Sequence, residues 1–331
     1  MKKKHTLRFL SAADVKRALP MKEAIEAMKS AFRELSEERA VVPIRTHVSM
    51  PENKGDFLIM PAYSPAMARF GLKVITLFPN NPAIHIPFIQ AMVMVFDTET
   101  GSPVAVMEGT SLTAIRSGAA SGAATDYLAR KKARKAAIFG AGIQARTQLE
   151  AVCAVRPIRE ASVFDQDGKR AAVFAREVGA ELGITVTPAA TPAEALDGAD
   201  VICTATTSAT PVFDDKDVGV GAHINAIGSY KPHMREIPPE TVVRSLVVVD
   251  QIESVWQEAG DLIMPLNDGL IKPSHVGTEL GEIVAGTKPG RTHAGTVTFF
   301  KSVGIAIQDL AAANCVLKNA HRLGLGTEVQ L

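Results

Sequence analysis

From Lys135 onward, short apolar runs alternate with stretches in which apolar residues recur every three or four positions. Residues 136–139, 161–164, 184–187, 201–204, 223–227 and 247–249 read as strands, while 141–155 and 169–182 carry helical spacing. Thr191-Pro192-Ala193-Glu194 opens a further helix as a capping box with proline at its first helical position. This alternation of short strands with helices predicts an α/β domain, a Rossmann-type doubly wound parallel sheet covered on both faces. The first 110 or so residues follow another rhythm, with one amphipathic helix over 21–38 and strand-like segments near 44–49, 57–60, 72–78 and 92–96. Pro43, Pro51, Pro61, Pro79, Pro82 and Pro87 punctuate them. Strands this close together leave no room for crossover helices, so an antiparallel or mixed sheet in a separate α+β unit is expected. The break between the halves falls near 109–130. A last strand at 296–300 and an alanine-rich helix over about 303–321 follow the nucleotide-type domain, and the pattern leaves open whether that helix packs back on the first half.

Composition narrows the function. A chain of 331 residues with 47% hydrophobic content can build two cores, and a net charge of +1 gives no global attraction to nucleic acid or an anionic membrane. The expected partner is a small molecule. Cys153, Cys203 and Cys315 lie far apart without a C-x-x-C pair, as reduced thiols of a cytoplasmic protein would. Met1-Lys2-Lys3-Lys4-His5 has the charge of a signal-peptide start, but Thr6-Leu7-Arg8-Phe9-Leu10-Ser11 supplies no apolar core, so no export signal is expected. The longest apolar stretches, such as 91–96, are far short of a bilayer span, and only 117–125 approaches low complexity.

The apolar run 136–139 enters Gly140-Ala141-Gly142-Ile143-Gln144-Ala145, a G-x-G-x-x-A turn leading into a helical pattern. Gly140 would make the tight turn, Gly142 would admit a pyrophosphate close to the backbone, and Ala145 would let helix and strand pack closely. Free amides at the helix start, from Ala141 to Gln144, would face the anion. A glycine-rich turn with no ligand is the alternative. The next strand ends in Asp165, placed to accept the ribose hydroxyls of NAD and repel the 2′-phosphate of NADP. NAD is therefore favoured, and Lys169 and Arg170 keep NADP possible. Thr204, Thr206 and Thr207 close the fourth strand, either as cofactor-facing hydroxyls or as a polar strand end.

Three cations stand in apolar or small-residue surroundings: Arg45, Lys73 and Arg116. A charge inside a strand pattern is costly unless paired. Each taken singly reads as a solvated or salt-bridged face. Together they would clamp a substrate carboxylate, the arginines by bidentate forks and Lys73 as a point charge or proton donor. His47, His85, His223, His233, His275 and His293 lack metal-ligand spacing, so no metal is expected, and Ser111, Ser117 and Ser229 lack the G-x-S-x-G setting of a hydrolase.

Several ordered stretches carry a family resemblance: Gly71-Leu72-Lys73 with Asn80-Asn81-Pro82, Phe96-Asp97-Thr98-Glu99-Thr100-Gly101, Thr113-Ala114-Ile115-Arg116-Ser117-Gly118-Ala119-Ala120, the glycine turn, Ile224-Asn225-Ala226-Ile227-Gly228-Ser229, and Phe300-Lys301-Ser302-Val303-Gly304 through Asp309-Leu310. Over nearly its whole length the chain resembles the ornithine cyclodeaminase and mu-crystallin family. The resemblance implies a homodimer with a substrate and dimerisation domain at 1–116 with 302–331 and an inserted dinucleotide domain at 117–301. It places Arg45, Lys73 and Arg116 in the substrate pocket, Arg116 also beside the cofactor, and Gly228 and Ser229 among the cofactor contacts. Implied activities are ornithine cyclodeamination, alanine dehydrogenation and cyclic ketimine reduction, all using NAD(P). Cyclodeaminases and the related dehydrogenases carry an Asp where this chain has Tyr230, in Gly228-Ser229-Tyr230-Lys231-Pro232. Tyr is a poor base at neutral pH. Reduction of a cyclic imino acid such as 1-pyrroline-2-carboxylate or its six-membered homologue is therefore expected. Cyclodeamination with Asp217 or Asp261 as base is the alternative, and a non-catalytic mu-crystallin-like ligand binder is the third reading.

Overall fold

Alternation of side chains across the strands organises the first half of the chain in the computed structural model, which describes residues 6–331 and so leaves the lysine-rich start outside the described residues. Seven strands, β1 (Thr6–Leu10), β2 (Thr46–Met50), β3 (Gly55–Ser64), β4 (Arg69–Leu77), β5 (Ile89–Asp97), β6 (Pro103–Glu108) and β14 (Thr327–Gln330), form one sheet in the order β14-β1-β6-β5-β4-β3-β2. Every neighbouring pair is antiparallel except β1 and β6, so the sheet is mixed. Met60 and Ala62 on β3, Gly71 and Lys73 on β4, and Ala91, Val93 and Val95 on β5 are all buried, at every second position as strand geometry requires. The helix Ala306–Leu323 packs against β3, β4 and β5 and against the helix Met21–Ser36. Gly71 allows the close approach: a Cβ there would stand 2.8 Å from Leu310 Cδ1. Met21, Ala24, Ile25, Met28, Ala31 and Phe32 form the buried stripe of the second helix, at the three- and four-residue spacing of an amphipathic helix.

Seven further strands, β7 (Lys135–Phe139), β8 (Glu160–Phe164), β9 (Thr185–Pro188), β10 (Val201–Thr204), β11 (His223–Ala226), β12 (Leu246–Val249) and β13 (Thr298–Lys301), make a second, wholly parallel sheet in the order β12-β13-β11-β10-β7-β8-β9. Ala137 and Phe139 enter one core and Ala136 and Ile138 the other, so helices cover both faces in the doubly wound Rossmann manner. The strand order reverses between β7 and β10, which opens a crevice beyond their carboxyl ends.

The chain divides into two compact units, Met1–Arg116 with Ile305–Leu331, and Ser117–Gly304. The first division falls inside a helix, Gly109–Leu128, where the sequence pattern suggests a break. Two features make this stretch helical. The Glu108 carboxylate accepts from the amides of Thr110 and Ser111 at 2.6 and 2.8 Å, capping the helix start with a negative charge. Its small residues permit close packing, since a Cβ on Gly118 would collide with the Thr147 carbonyl in the helix Ile143–Val155. The second division comes after Gly304 rather than at 302, because Asp250 Oδ2 accepts from Ser302 Oγ, Val303 N and Gly304 N and holds those residues to the second unit.

Candidate active site

Lys73 lies between Met60 and Val93 in the register of its sheet, on the face covered by the helix Ala306–Leu323. A lysine there needs a counter-charge, and Asp309 in the first turn of that helix provides it, with Oδ2 2.6 Å from Lys73 Nζ. The contact is an ion pair without hydrogen-bond alignment, leaving both Nζ and Oδ2 without a hydrogen-bond partner. Asp309 Oδ1 accepts from Arg116 Nε at 2.9 Å, and Gln308 Oε1 accepts from Arg116 Nη1 at 2.6 Å. The Gln308 orientation follows, because guanidinium only donates and the amide oxygen must face it. Gln308 Nε2 is then a buried donor with no partner. Burial pulls the Lys73 ammonium down to about 7, with Arg116 and Arg45 adding to the shift and Asp309 opposing it. A lysine in this state can hold an anion when charged and release its proton near neutrality.

The structure therefore brings Lys73 and Arg116 together around Asp309 and Gln308, two residues the sequence reading does not single out as site residues. Arg45 sits just ahead of β2, not within a strand, and is near enough to Lys73 to depress its pKa.

In the second unit Gly140 has φ +93°, and a Cβ there would press against the Ala205 carbonyl at 2.9 Å, so glycine is required where β7 turns beside β10. A Cβ on Gly142 would meet nothing nearer than Arg170 Nη2 at 3.9 Å. That open space lies at the N-terminus of the helix Ile143–Val155, which no side chain caps. Amides at this helix start fit a dinucleotide pyrophosphate, but that of Ala141, expected among them, is already donated to Asp165. Asp165 stands at the tip of β8, accepting from Ala141 N at 2.8 Å and from Asp167 N at 2.9 Å. These bonds fix the carboxylate against the glycine turn, where a ribose would lie.

The other expected cofactor contacts need correction. Thr204 is fully buried and donates its hydroxyl to Glu236 Oε2 at 2.9 Å, so it is not cofactor-facing. Ser229 is equally buried, with its hydroxyl donated to the Met234 carbonyl at 2.7 Å. The amides of Gly228 and Ser229, and both the amide and hydroxyl of half-buried Thr206, donate to Glu236 as well. Glu236 is fully buried and carries no local sequence signal. Asp261 is not free to act as a base either: Oδ1 accepts from the amides of Glu236 and Ile237, and Oδ2 is paired with buried Lys301 at 2.9 Å. Tyr230 is half-buried, with Lys231 Nζ 5.8 Å from its ring centroid. His223 belongs to the core, bonded to Thr298 and Asn225 and pushed down to about 3 by burial.

Comparison with known proteins places these features in a lineage. The ornithine cyclodeaminase/mu-crystallin family model matches residues 5–323. A Delta(1)-pyrroline-2-carboxylate reductase of Bacillus cereus is 38% identical over 322 residues, covering 97% of this chain and 99% of that protein. The solved structure of Thermococcus litoralis Delta(1)-pyrroline-2-carboxylate reductase in complex with NADH and L-proline matches with a TM-score of 0.93 at 43% identity, over 97% of this chain and 100% of that one. An archaeal alanine dehydrogenase dimer with bound NAD matches with a TM-score of 0.91 at 34% identity, over 98% and 99% of the two chains.

Proposed function

The chain belongs to the ornithine cyclodeaminase/mu-crystallin family, and from that premise we propose that it is an NADH-dependent reductase of cyclic imino acids, converting 1-pyrroline-2-carboxylate to proline. The observation that carries this reading is the buried Lys73–Asp309–Arg116 cluster, whose cations and orphan donors suit a substrate carboxylate. Arg116 keeps its fork oriented through Asp309 and Gln308, and Lys73 supplies a second positive charge. Held at the glycine turn and by Asp165, NADH would supply the hydride to the imine carbon. Lys73 donates a proton to the ring nitrogen when the imine enters neutral, so that C–H and N–H bonds replace the C=N double bond. The reverse direction, and any amine-first reaction, needs a base to remove an ammonium proton. Asp261 is committed to Lys301, and Tyr230 stands at the position the resemblance marks for an acid.

Steady-state NADH oxidation with 1-pyrroline-2-carboxylate and its six-membered homologue, with the amino acid identified as product, tests the proposal. Binding of either imine without NADH oxidation would leave a ligand-binding protein.

Asp165 supports NADH over NADPH through its charge and its fixed position against the glycine turn. Asp165→Ala is expected to weaken NADH and relax discrimination against NADPH by roughly tenfold, since a like-charge repulsion is lost. A wild type that already prefers NADPH would show that Lys169 or Arg170 governs the choice.

A homodimer follows from the same reading. β2 is exposed along its whole length, and Val48, Met50, Ile84, Ile86, Ile89 and Met92 are exposed apolar residues on or beside the first unit's sheet. An apolar surface of this kind suits a second copy of the chain. Analytical ultracentrifugation reads the mass directly. Among the described residues no helix is long and apolar enough to cross a membrane, and the three free thiols suit the reducing cytoplasm we assign.

A further inference from the structure

Glu236 is a buried carboxylate to which the sequence assigns no role, yet it receives five hydrogen bonds. Oε1 accepts from Thr206 N at 2.6 Å and Thr206 Oγ1 at 2.8 Å. Oε2 accepts from Thr204 Oγ1 at 2.9 Å, Gly228 N at 2.7 Å and Ser229 N at 3.2 Å. The donors come from two backbone segments, one leaving β10 and the other leaving β11. Both leave the carboxyl edge of the parallel sheet, next to the point where strand order reverses. The packing there is tight enough to exclude a side chain at Gly228, where a Cβ would collide with Thr206 and with the Glu236 carboxylate.

Glu236 is itself anchored from below. Its amide and that of Ile237 donate to Asp261 Oδ1, and Asp261 Oδ2 meets Lys301 at the end of β13. A chain of contacts thus runs from β13 through Lys301, Asp261 and Glu236 to the segments after β10 and β11. Burial and the nearby Asp261 push the Glu236 carboxyl up, while Lys301 and the Thr206 donors act against them. Three of the five donors are backbone amides, which can only donate and so require an acceptor. A carboxylate can serve all five at once, whereas an amide would turn an N–H group toward some of them.

We propose that Glu236 is a positioning residue for the nicotinamide half of the bound dinucleotide, fixing the segments after β10 and β11 that this half would lie against. The role rests on the dinucleotide reading given above. In that reading Asp165 and the glycine turn serve the adenosine and pyrophosphate end, on the other side of the strand-order reversal. Glu236 would therefore act on one end of the cofactor only.

Calorimetric titration of the full chain with NADH and with ADP-ribose, which lacks the nicotinamide, separates the two ends. Glu236→Gln is expected to raise the NADH Kd about tenfold, as loss of charged hydrogen bonds would, while the ADP-ribose Kd changes less than about twofold. Its kcat should fall as well. Thr204→Val provides a milder variant should Glu236→Gln fail to fold. Thr204 is fully buried, so removing its hydroxyl touches Glu236 and not the cofactor, and a roughly threefold rise confined to NADH is expected. Equal weakening of NADH and ADP-ribose, or unchanged NADH binding in both variants, would overturn the role. A wild type that binds neither ligand would instead remove the dinucleotide site and this role with it.

Discussion

Lys73→Ala is expected to lower kcat/KM for 1-pyrroline-2-carboxylate by about 10²- to 10⁴-fold. The range combines a lost charge-assisted contact to the substrate carboxylate with a lost general acid. Burial is the reason one side chain can do both, because it brings the ammonium to about 7 while Asp309 keeps part of the charge in place. The pH dependence has a definite sign. In the proposed mechanism protonated Lys73 is the active form, so wild-type kcat/KM, which reports the free enzyme, should fall as pH rises through about 7. Lys73→Arg keeps the positive charge across that range and should flatten the profile while remaining slow. Arg45→Ala should lose less, because Arg45 is only half-buried and its guanidinium is already partly screened by water. Initial rates across pH 5.5 to about 9 check all three variants, and an unchanged kcat/KM in folded Lys73→Ala would remove lysine from the mechanism.

Asp309→Asn is expected to cost about 3–5 kcal/mol of stability, as breaking a buried ion pair by removing one partner does. Asp309 is 2% exposed and is the counter-charge to both Lys73 and Arg116, so its neutralisation leaves two cations in the interior. Lys73 would respond by giving up its proton, since the opposing pull of Asp309 on its pKa has gone. Stability and proton donation should therefore fail together. Denaturant melts of Asp309→Asn, Lys73→Met and the double variant form a cycle in which the double variant is more stable than the sum of the single losses predicts. Additive losses would mean that the pair is not coupled.

The two sheets differed in how much of them could be read from sequence. β7, β10 and β12 are buried on both faces and show as near-continuous apolar runs, while Ser162 interrupts β8 and His223 and Asn225 interrupt β11. β1, β6 and β14 escape the pattern. β14 is exposed throughout, Arg8 interrupts β1 to pair with Glu328, and β6 begins at Pro103. The helix Gly109–Leu128 holds Gly118 and Gly122, whose poor helix propensity hides an element favoured by close packing. The pattern covers β3, β4 and β5 only in part, because their second face is not buried and its polarity varies.

The site divides in the same way. Gly140, Gly142 and Asp165 are legible because the turn, the helix start and the strand tip are local. Asp309 and Gln308 meet Arg116 across more than 190 positions of chain, which no spacing rule reaches. One signal was available: cations in apolar strands call for a partner, and Asp309 is an acid in a run of alanine and isoleucine. Glu236 offered none. Its partners are mostly backbone amides, which every sequence contains, and the hydroxyls of Thr204 and Thr206 read equally well as cofactor ligands until the carboxylate beside them is seen.

The ratio of two specificity constants on one preparation of the enzyme tests most directly whether this site reduces imines. One is NADH-dependent reduction of 1-pyrroline-2-carboxylate, and the other is ammonia release from ornithine with catalytic NAD. With Tyr230 where an acid would serve as base and Asp261 held by Lys301, reduction should exceed deamination by at least about 10²-fold. Ammonia release at a comparable rate, with proline as the product, would contradict the account and make the chain a cyclodeaminase.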